Sequence, residues 1–251
     1  MTNRLVPLLL LATLPCAARA DLALVGYSAA GPLSTQERIW IHESQFRRDY
    51  VDRGRAYTQL FDMTKHQLYV VDHAARMIES YDLKALQATA DQGAPPGTLN
   101  MTLTPTGETR PLRTWTCTGY TLAASMPTRL GNEETVFHLQ GKVWVAAGTP
   151  EQAALQRLVE LARQKDFFLG IPAAIKATPA QAQMLSELAR SLAPRGLPCA
   201  GELDARYEGN GPMANLARRL PARLSLSIQD FSSAPLGPDV FALPANYQMR
   251  R

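Results

Sequence analysis

Cysteine is the most reactive side chain in this sequence, and Cys117 stands out because threonines surround it in the stretch RTWTCTGYTL. A cysteine thiolate can attack a substrate, bind a metal, or form one half of a disulfide. The first role needs a positioned base and the second needs further ligands at regular spacing, and the sequence shows neither around Cys117. The role of Cys117 therefore depends on the compartment in which the protein folds.

The compartment is indicated by residues 1–20, MTNRLVPLLLLATLPCAARA. They combine an early cation, an apolar run at Leu5–Leu14 and a small-x-small end at Ala18–Ala20, which is the layout of a cleaved secretory signal. The apolar run is too short to cross a bilayer. We predict cleavage after Ala20 and a periplasmic or secreted mature protein of residues 21–251.

Export changes the interpretation of the cysteines. Cleavage removes Cys16 and leaves Cys117 and Cys199, an even number in an oxidising compartment. We predict a disulfide between these two residues. Cys199 is expected in the Gly-Leu-Pro-Cys loop beyond the predicted helices, so the bond would fasten a helical insertion to the sheet.

The charge balance excludes some classes of partner. The chain carries 26 Lys and Arg against 22 Asp and Glu, a formal net charge of +4. Arg4 and Arg19 belong to the signal, so the mature chain has 24 cations against 22 acids. No block of Lys or Arg indicates nucleic-acid binding, and no later segment approaches the ~20 apolar residues of a membrane span.

Other candidate catalytic residues lack the spacing that chemistry requires. The four histidines are His42, His66, His73 and His138. They form no two-His helix motif and no Cys/His ligand pattern, and no G-x-S-x-G elbow surrounds any serine. We therefore predict no catalytic residue, no metal site and no cofactor. A hydrolase with an unrecognised site stays open, and clustering of His66, His73 and nearby acids in one cleft would support it.

Short strand patterns fill the chain from Asp21 to Tyr81. The stretch FRRDYVDRGRAYTQLFDM, for example, reads as two strands that turn at Asp52–Gly54. Evenly spaced strands with no helical pattern between them predict an antiparallel meander. Near the C-terminus, ARLSLSIQDF alternates cleanly, which predicts a half-buried strand with one apolar face formed by Leu224, Leu226 and Ile228.

Two helices have clear start signals. Each begins with Thr-Pro and has Gln three residues after the Thr, which combines a capping box with the preference for Pro at the first helical position. These signals and the leucine spacing predict helices Thr149–Lys165 and Thr178–Ala193, an insertion at about residues 149–193. The stretch DFFLGIP between them, Asp166–Pro172, sets apolar side chains beside a Gly-Ile-Pro break, a pattern typical of a mobile lid.

Several motifs together suggest a family. They are FRRDY…RAYTQLFDMTKHQLYVVDHAARMIESYDL, TCTGYTL, KVWVAAGTPEQ and FSSAPLGPDVFALPANYQ, which cover most of Glu37–Gln248. With the meander, they resemble a group of uncharacterised exported bacterial proteins in the LolA/LolB-like superfamily. The resemblance implies a strongly curved antiparallel sheet, an incomplete barrel whose concave side is covered by helices. In the superfamily's carriers the cavity holds acyl chains, whereas RseB-like members sense mislocalised envelope components.

We therefore predict a single α+β domain over residues 21–251, with two helices on the concave side of the sheet. Its expected function is noncatalytic binding of an apolar or acylated ligand, by a monomer in the periplasm. The alternative is an envelope protein-interaction or stress-sensor module. The residues that we expect to line the cavity are Trp115, Leu224, Leu226, Ile228 and Phe168.

Overall fold

The computed structural model describes residues 21–30, 33–93, 99–164, 179–219 and 222–250. The predicted signal, residues 1–20, and the stretch Asp166–Pro172 lie outside the described residues. Within the described ranges the protein consists of one twelve-stranded sheet and four α-helices.

The strands succeed one another along the chain with few interruptions. The first six are β1 (Leu22–Ala30), β2 (Leu33–His42), β3 (Gln45–Asp52), β4 (Arg55–Asp62), β5 (Gln67–Asp72) and β6 (Met77–Asp82). The others are β7 (Asn100–Leu112), β8 (Trp115–Leu130), β9 (Glu133–Ala146), β10 (Leu197–Glu208), β11 (Ala222–Ser232) and β12 (Gln248–Arg250).

The order of strands in the sheet is β12-β6-β5-β4-β3-β2-β1-β11-β10-β9-β8-β7. Neighbouring strands are antiparallel, except that β12 runs parallel to β6. The sheet is open, since β12 and β7 form its two edges. A large antiparallel sheet with helices confirms the α+β class.

The predicted meander is also confirmed, because β1 to β6 pair in sequence order. Its turns follow from local chemistry. Arg53 and Gly54 join β3 to β4 with φ values of 50° and 78°, the left-handed backbone that a two-residue hairpin turn requires. At the next turn, Asp62 stabilises the backbone through its side chain, since its Oδ1 accepts hydrogen bonds from the backbone N–H groups of Thr64 and Lys65.

The four helices within the described ranges are α1 (Leu83–Gly93), α2 (Gln152–Gln164), α3 (Pro179–Leu192) and α4 (Pro212–Arg218). The two predicted helices correspond to α2 and α3. Helix α2 starts later than predicted, because residues 149–151 form a turn in which the N–H of Gln152 donates to the carbonyl of Thr149. A 3₁₀ turn at Pro238–Phe241 buries Phe241 against the sheet ahead of β12.

Two of the four helices, α1 and α4, are absent from the sequence prediction. The start of α1 does carry a signal, since Asp82 accepts a hydrogen bond from the N–H of Ala85 at 2.9 Å, the geometry of an N-cap. Only Leu83 and Leu86 mark its apolar side, and the short helix α4 leaves Met213 and Leu216 exposed. Such weak periodicity explains why both helices are difficult to recognise.

Strand β10 corrects the prediction of a loop around Cys199. Its burial alternates strictly, with Leu197, Cys199, Leu203 and Tyr207 among the buried positions. Half of the buried side are small residues, which favour strands weakly, and the other side is mostly charged. Strand β10 is ordered mainly by its two neighbours, β9 and β11, and not by its own propensity.

The apolar core consists of two clusters. The first joins β1, β2 and β4 to α2 and to the ends of β8–β10 near the disulfide, and it includes Leu22, Phe61, Trp144 and Leu158. The second lies between β7–β10 and α3, around Leu122, Phe137 and Met184. The disulfide and the start of the helical insertion therefore belong to the same cluster.

Candidate functional site: an aromatic cleft beside the disulfide

The predicted disulfide is present. The sulfur atoms of Cys117 in β8 and Cys199 in β10 are 2.00 Å apart, and both residues are buried. Strand β9 lies between these two strands, and its Ala146 pairs with Cys117 on one side and with Leu197 on the other. The bond thus links two strands across β9, next to both ends of the insertion, and does not attach a loop to the sheet as predicted.

A cleft of about 490 Å³ opens close to this disulfide. Three parts of the chain form it: the start of β8, the connection between β9 and α2, and the end of β11. The lining residues are Thr114, Trp115, Thr116, Ala147, Gly148, Thr149, Pro150, Glu151 and Phe231. This volume lies within the ~300–1,000 Å³ that small-molecule sites usually occupy.

One wall of the cleft is aromatic. The rings of Trp115 and Phe231 stack with their centroids 3.4 Å apart and their planes 15° from parallel. Phe231 pairs with Leu24 of β1, so this wall continues into the first core cluster. An ion pair lies close to the two rings in the sequence. Arg113, two residues before Trp115, has its Nε 2.8 Å from Oδ1 of Asp230, the residue before Phe231. This ion pair holds the start of β8 against β11.

The opposite wall is polar and comes from the turn before α2. Glu151 is only 5% exposed, although it is one of the residues that line the cleft. Its Oε2 and the hydroxyl of Thr149 are buried and make no hydrogen bond with any of the described residues. The nearby amide of Gln152 is engaged elsewhere, because it accepts from Gly148 N–H at 3.0 Å and donates to the carbonyls at the end of α3. The turn is therefore fixed while two of its polar atoms find no partner among the described residues.

The residues predicted to line a cavity fall in different places. Trp115 lines the cleft, and Ile228 is 5% exposed within the first cluster. Leu226 packs against the first cluster and Leu224 against the second. Phe168 lies outside the described residues. A role for Leu224, Leu226, Ile228 and Phe168 in ligand binding stays a prediction, whereas Glu151 and Phe231 were missed because nothing local in the sequence distinguishes them.

A second polar group lies on the meander. Glu37 of β2 accepts hydrogen bonds from Arg48 of β3 and from Ser28 of β1. The two charged side chains are 5% and 11% exposed, and the guanidinium lies 4.4 Å from the ring centroid of Tyr50. Arg48 also donates to Gln59 of β4 at 3.4 Å. Four adjacent strands thus share one buried, charge-assisted network.

The register places this network at one end of an otherwise apolar face. Side chains directly opposite one another in paired strands lie on the same face. One row across the meander contains Leu22, Ile41, Phe46, Phe61, Leu68 and Tyr81. The next row on the same face, two residues away along each strand, contains Ile39 of β2, Arg48 of β3 and Gln59 of β4. The face therefore changes from apolar to polar along the strands.

Tyr81, at the edge of this face, has a strongly raised pKa. Tyr81 donates a hydrogen bond to Glu79 Oε2 at 2.6 Å. This hydrogen bond, together with partial burial, raises the pKa of Tyr81 to about 12. Tyr50 is shifted in the same direction, because burial raises its pKa above the usual value. Both phenols are therefore neutral hydrogen-bonding groups at physiological pH.

The histidines do not converge. His66 and His73 lie at opposite ends of β5, which puts them roughly 20 Å apart at the rise of an extended strand. The ring nitrogens of His73 are hydrogen-bonded to the hydroxyls of Thr58 and Tyr247. His42 Nδ1 lies 2.6 Å from Asp21 Oδ1. Among the described residues, no three His, Cys, Asp or Glu side chains are grouped as metal ligands. The clustering that a hydrolase would require is not found for His66 and His73.

Comparisons with known proteins leave the family undefined. No protein-family model matches the chain, and no curated protein matches it. One solved structure, described as the crystal structure of an uncharacterized conserved protein from Thermus thermophilus, is similar over 93% of this chain and 91% of that chain. The TM-score is 0.42 and the sequence identity is 7%. Within the described ranges, none of the helices combines the length and apolarity of a membrane span.

Proposed function

We propose that this protein is a noncatalytic binding protein of the periplasm that holds an apolar or lipidated ligand, as a carrier does. The observation that carries the proposal is the cleft of about 490 Å³ with its stacked Trp115–Phe231 wall. Aromatic rings supply a large apolar surface at little cost in conformational entropy. Burial of a ligand against them provides binding energy in proportion to the apolar area removed from water.

The contacts among helices support a curved sheet, which is the second part of the proposal. Helix α1 contacts β6 and packs on α3, and α3 contacts β8 and β9. In the sheet order, β6 and β9 are eight strand spacings apart, about 38 Å if the sheet were flat. Two packed helices, whose axes lie ~10 Å apart, do not span that distance. An incomplete barrel, closed in part by α1 and α3, accounts for these contacts.

Incomplete burial of the meander's apolar face supports the same function. Ile39, Phe46 and Val70 pack against the first core cluster but remain partly exposed. Filled cores bury such side chains almost completely. The partly exposed side chains are available to an apolar ligand that enters between sheet and helices.

Location outside the cytoplasm is part of the proposal and rests on two supports. The Cys117–Cys199 disulfide is typical of exported proteins, because cytoplasmic thiols are kept reduced. Residues 1–20 have the pattern of a cleaved secretory signal. An exported protein with an aromatic wall in its cleft is suited to acylated molecules, which are insoluble in the aqueous periplasm without a carrier.

The proposal can be tested by titrating the purified protein with a fluorescent long-chain alcohol, an amphiphile without charge. We expect saturable binding by the wild type and a loss of affinity of about tenfold or more for Trp115→Ala, as for a buried aromatic contact. The matched control is Trp40→Ala, which removes the same side chain from β2, away from the cleft. Phe231→Leu is a second variant in the cleft that keeps most of the apolar volume, so it is less prone to a folding defect than Trp115→Ala. Absence of binding by the wild type, or equal affinities for all four proteins, would contradict the proposal.

One observation favours the alternative function, an envelope protein-interaction or stress-sensor module. Met213 and Leu216 are 47% and 54% exposed on α4. Their spacing of three residues puts them on the same side of the helix. An exposed apolar pair of this kind is a feature of docking surfaces. Mutation of both residues to Ser should weaken partner capture but leave binding of the long-chain alcohol unchanged.

A further inference from the structure

We infer that the cleft selects amphiphiles whose polar head carries an ammonium group, with Glu151 as the residue that recognises the head. This inference rests on the proposed function and deepens it, since it names the chemical class of the ligand. It concerns the polar wall of the cleft, which binding of a purely apolar ligand would leave unused.

The Glu151 carboxylate is the central feature of this wall. The residue is only 5% exposed, lines the cleft, and has an Oε2 atom without a hydrogen-bond partner in the part of the chain that the structure describes. A buried carboxylate oxygen that has lost its water and gained no donor costs free energy, so such atoms are almost always paired in folded proteins. The N-terminus of α2 favours a negative charge at this position but does not supply the missing hydrogen bond. A donor from outside the chain would satisfy it.

The surroundings of the carboxylate indicate which donor. Among the described residues, no Lys or Arg donates to Glu151 Oε2. The cation at the rim, Arg113, is already paired with Asp230. The Thr149 hydroxyl, two residues earlier in the same turn, is a second buried polar atom that has no partner within the described ranges. A carboxylate and a hydroxyl from the same turn offer several acceptor lone pairs, which match the three N–H donors of an ammonium group.

The remaining wall fits the rest of an amphiphile. Trp115 and Phe231 form a stacked aromatic pair in the same cleft. The hydrocarbon attached to the ammonium group would be buried against this pair. An anionic head would place a second negative charge next to Glu151, so fatty acids should bind less well than amines of equal length.

The test compares three ligands that share one twelve-carbon chain: dodecylamine, dodecanol and dodecanoate. Each is titrated into the full chain at pH 7 and below its micelle concentration, and tryptophan fluorescence and calorimetry report binding. We expect dodecylamine to bind about tenfold more tightly than dodecanol, as a hydrogen bond to a charged group should provide, and dodecanoate to bind most weakly. In Glu151→Gln the amine and the alcohol should bind with nearly equal affinity.

The matched control is Glu134→Gln, which removes the same charge from an 87%-exposed side chain in β9. This variant should keep the preference for the amine. If all three ligands bind the wild type equally, or if Glu151→Gln keeps the preference, the inference is wrong while the proposed function stands. If no ligand binds any variant, the proposed function itself fails.

Discussion

At the scale of single residues, the buried Arg48–Glu37 pair is the feature on which the meander most depends. Transfer of two charges from water to the interior is costly, and their mutual attraction repays the cost only when both partners are present and hydrogen-bonded. Here the carboxylate receives both Arg48 and Ser28, and the guanidinium also reaches Gln59. Removal of one partner leaves the other charged, buried and uncompensated.

We therefore expect Glu37→Gln to lower the free energy of unfolding by about 3 kcal/mol, measured by urea denaturation. The double variant Glu37→Gln/Arg48→Met should recover part of that loss, because it removes the uncompensated cation. As a matched control, Glu134→Gln breaks an exposed pair with Arg129 and should change stability by less than ~0.5 kcal/mol. Equal effects of Glu37→Gln and Glu134→Gln would show that the buried pair has no special role.

Only some of the important residues can be recognised from the sequence. The Cys117–Cys199 pair is predictable because two cysteines remain after signal cleavage and the expected compartment is oxidising. Trp115 is recognisable as a large aromatic residue on a strand with alternating burial. Glu151 and Arg48 cannot be recognised in this way, because most Glu and Arg residues are solvated. Their burial results from tertiary packing, which a local pattern does not contain.

At the scale of elements, the disulfide ties β8 to β10 across β9, next to both ends of the insertion. It closes a loop with a sequence separation of 82 residues, which contains β9, α2 and α3. We expect Cys117→Ser/Cys199→Ser to lose about 2–4 kcal/mol of stability, chiefly because the unfolded chain becomes less constrained. A reductant should lower the wild-type unfolding temperature to that of the double variant and leave the variant itself unchanged.

Non-reducing peptide mapping supplies the direct control for this expectation. One linked peptide should join the Cys117 and Cys199 fragments. Two free thiols, or a wild type whose stability is indifferent to reductant, would contradict the assignment. The measurement also separates loss of the bond from any effect of the serine side chains, since reduction changes no residue.

Elements with strong local signals are predictable, and the others are not. The β3–β4 turn contains Gly54, and α3 begins at Pro179 after a Thr, as its capping signal predicts. Strand β10 lacks such signals, since small residues such as Gly201 and Ala205 fill much of its buried side. It is a strand because β9 and β11 provide hydrogen-bonding partners on both sides. That information is non-local, so the sequence around Cys199 reads as a loop.

At the scale of the whole molecule, one open sheet joins segments that are far apart in the sequence, since β1 pairs with β11. Sequence patterns identify the antiparallel meander and the α+β class. They do not reveal the order of all twelve strands, because pairing between distant segments depends on which faces become buried together. The cleft forms where β8, β11 and the start of the insertion meet, so it too is a product of topology.

The central claim is that this protein carries an apolar or lipidated ligand, and native mass spectrometry tests it most directly. The protein should be purified without detergent from the periplasm of its own cells, with Trp115→Ala prepared in parallel. We predict a wild-type population heavier than the bare chain, from which collisional activation releases an acylated molecule, and a smaller loaded fraction in Trp115→Ala. A wild type that is consistently found at the mass of the bare chain would contradict the account.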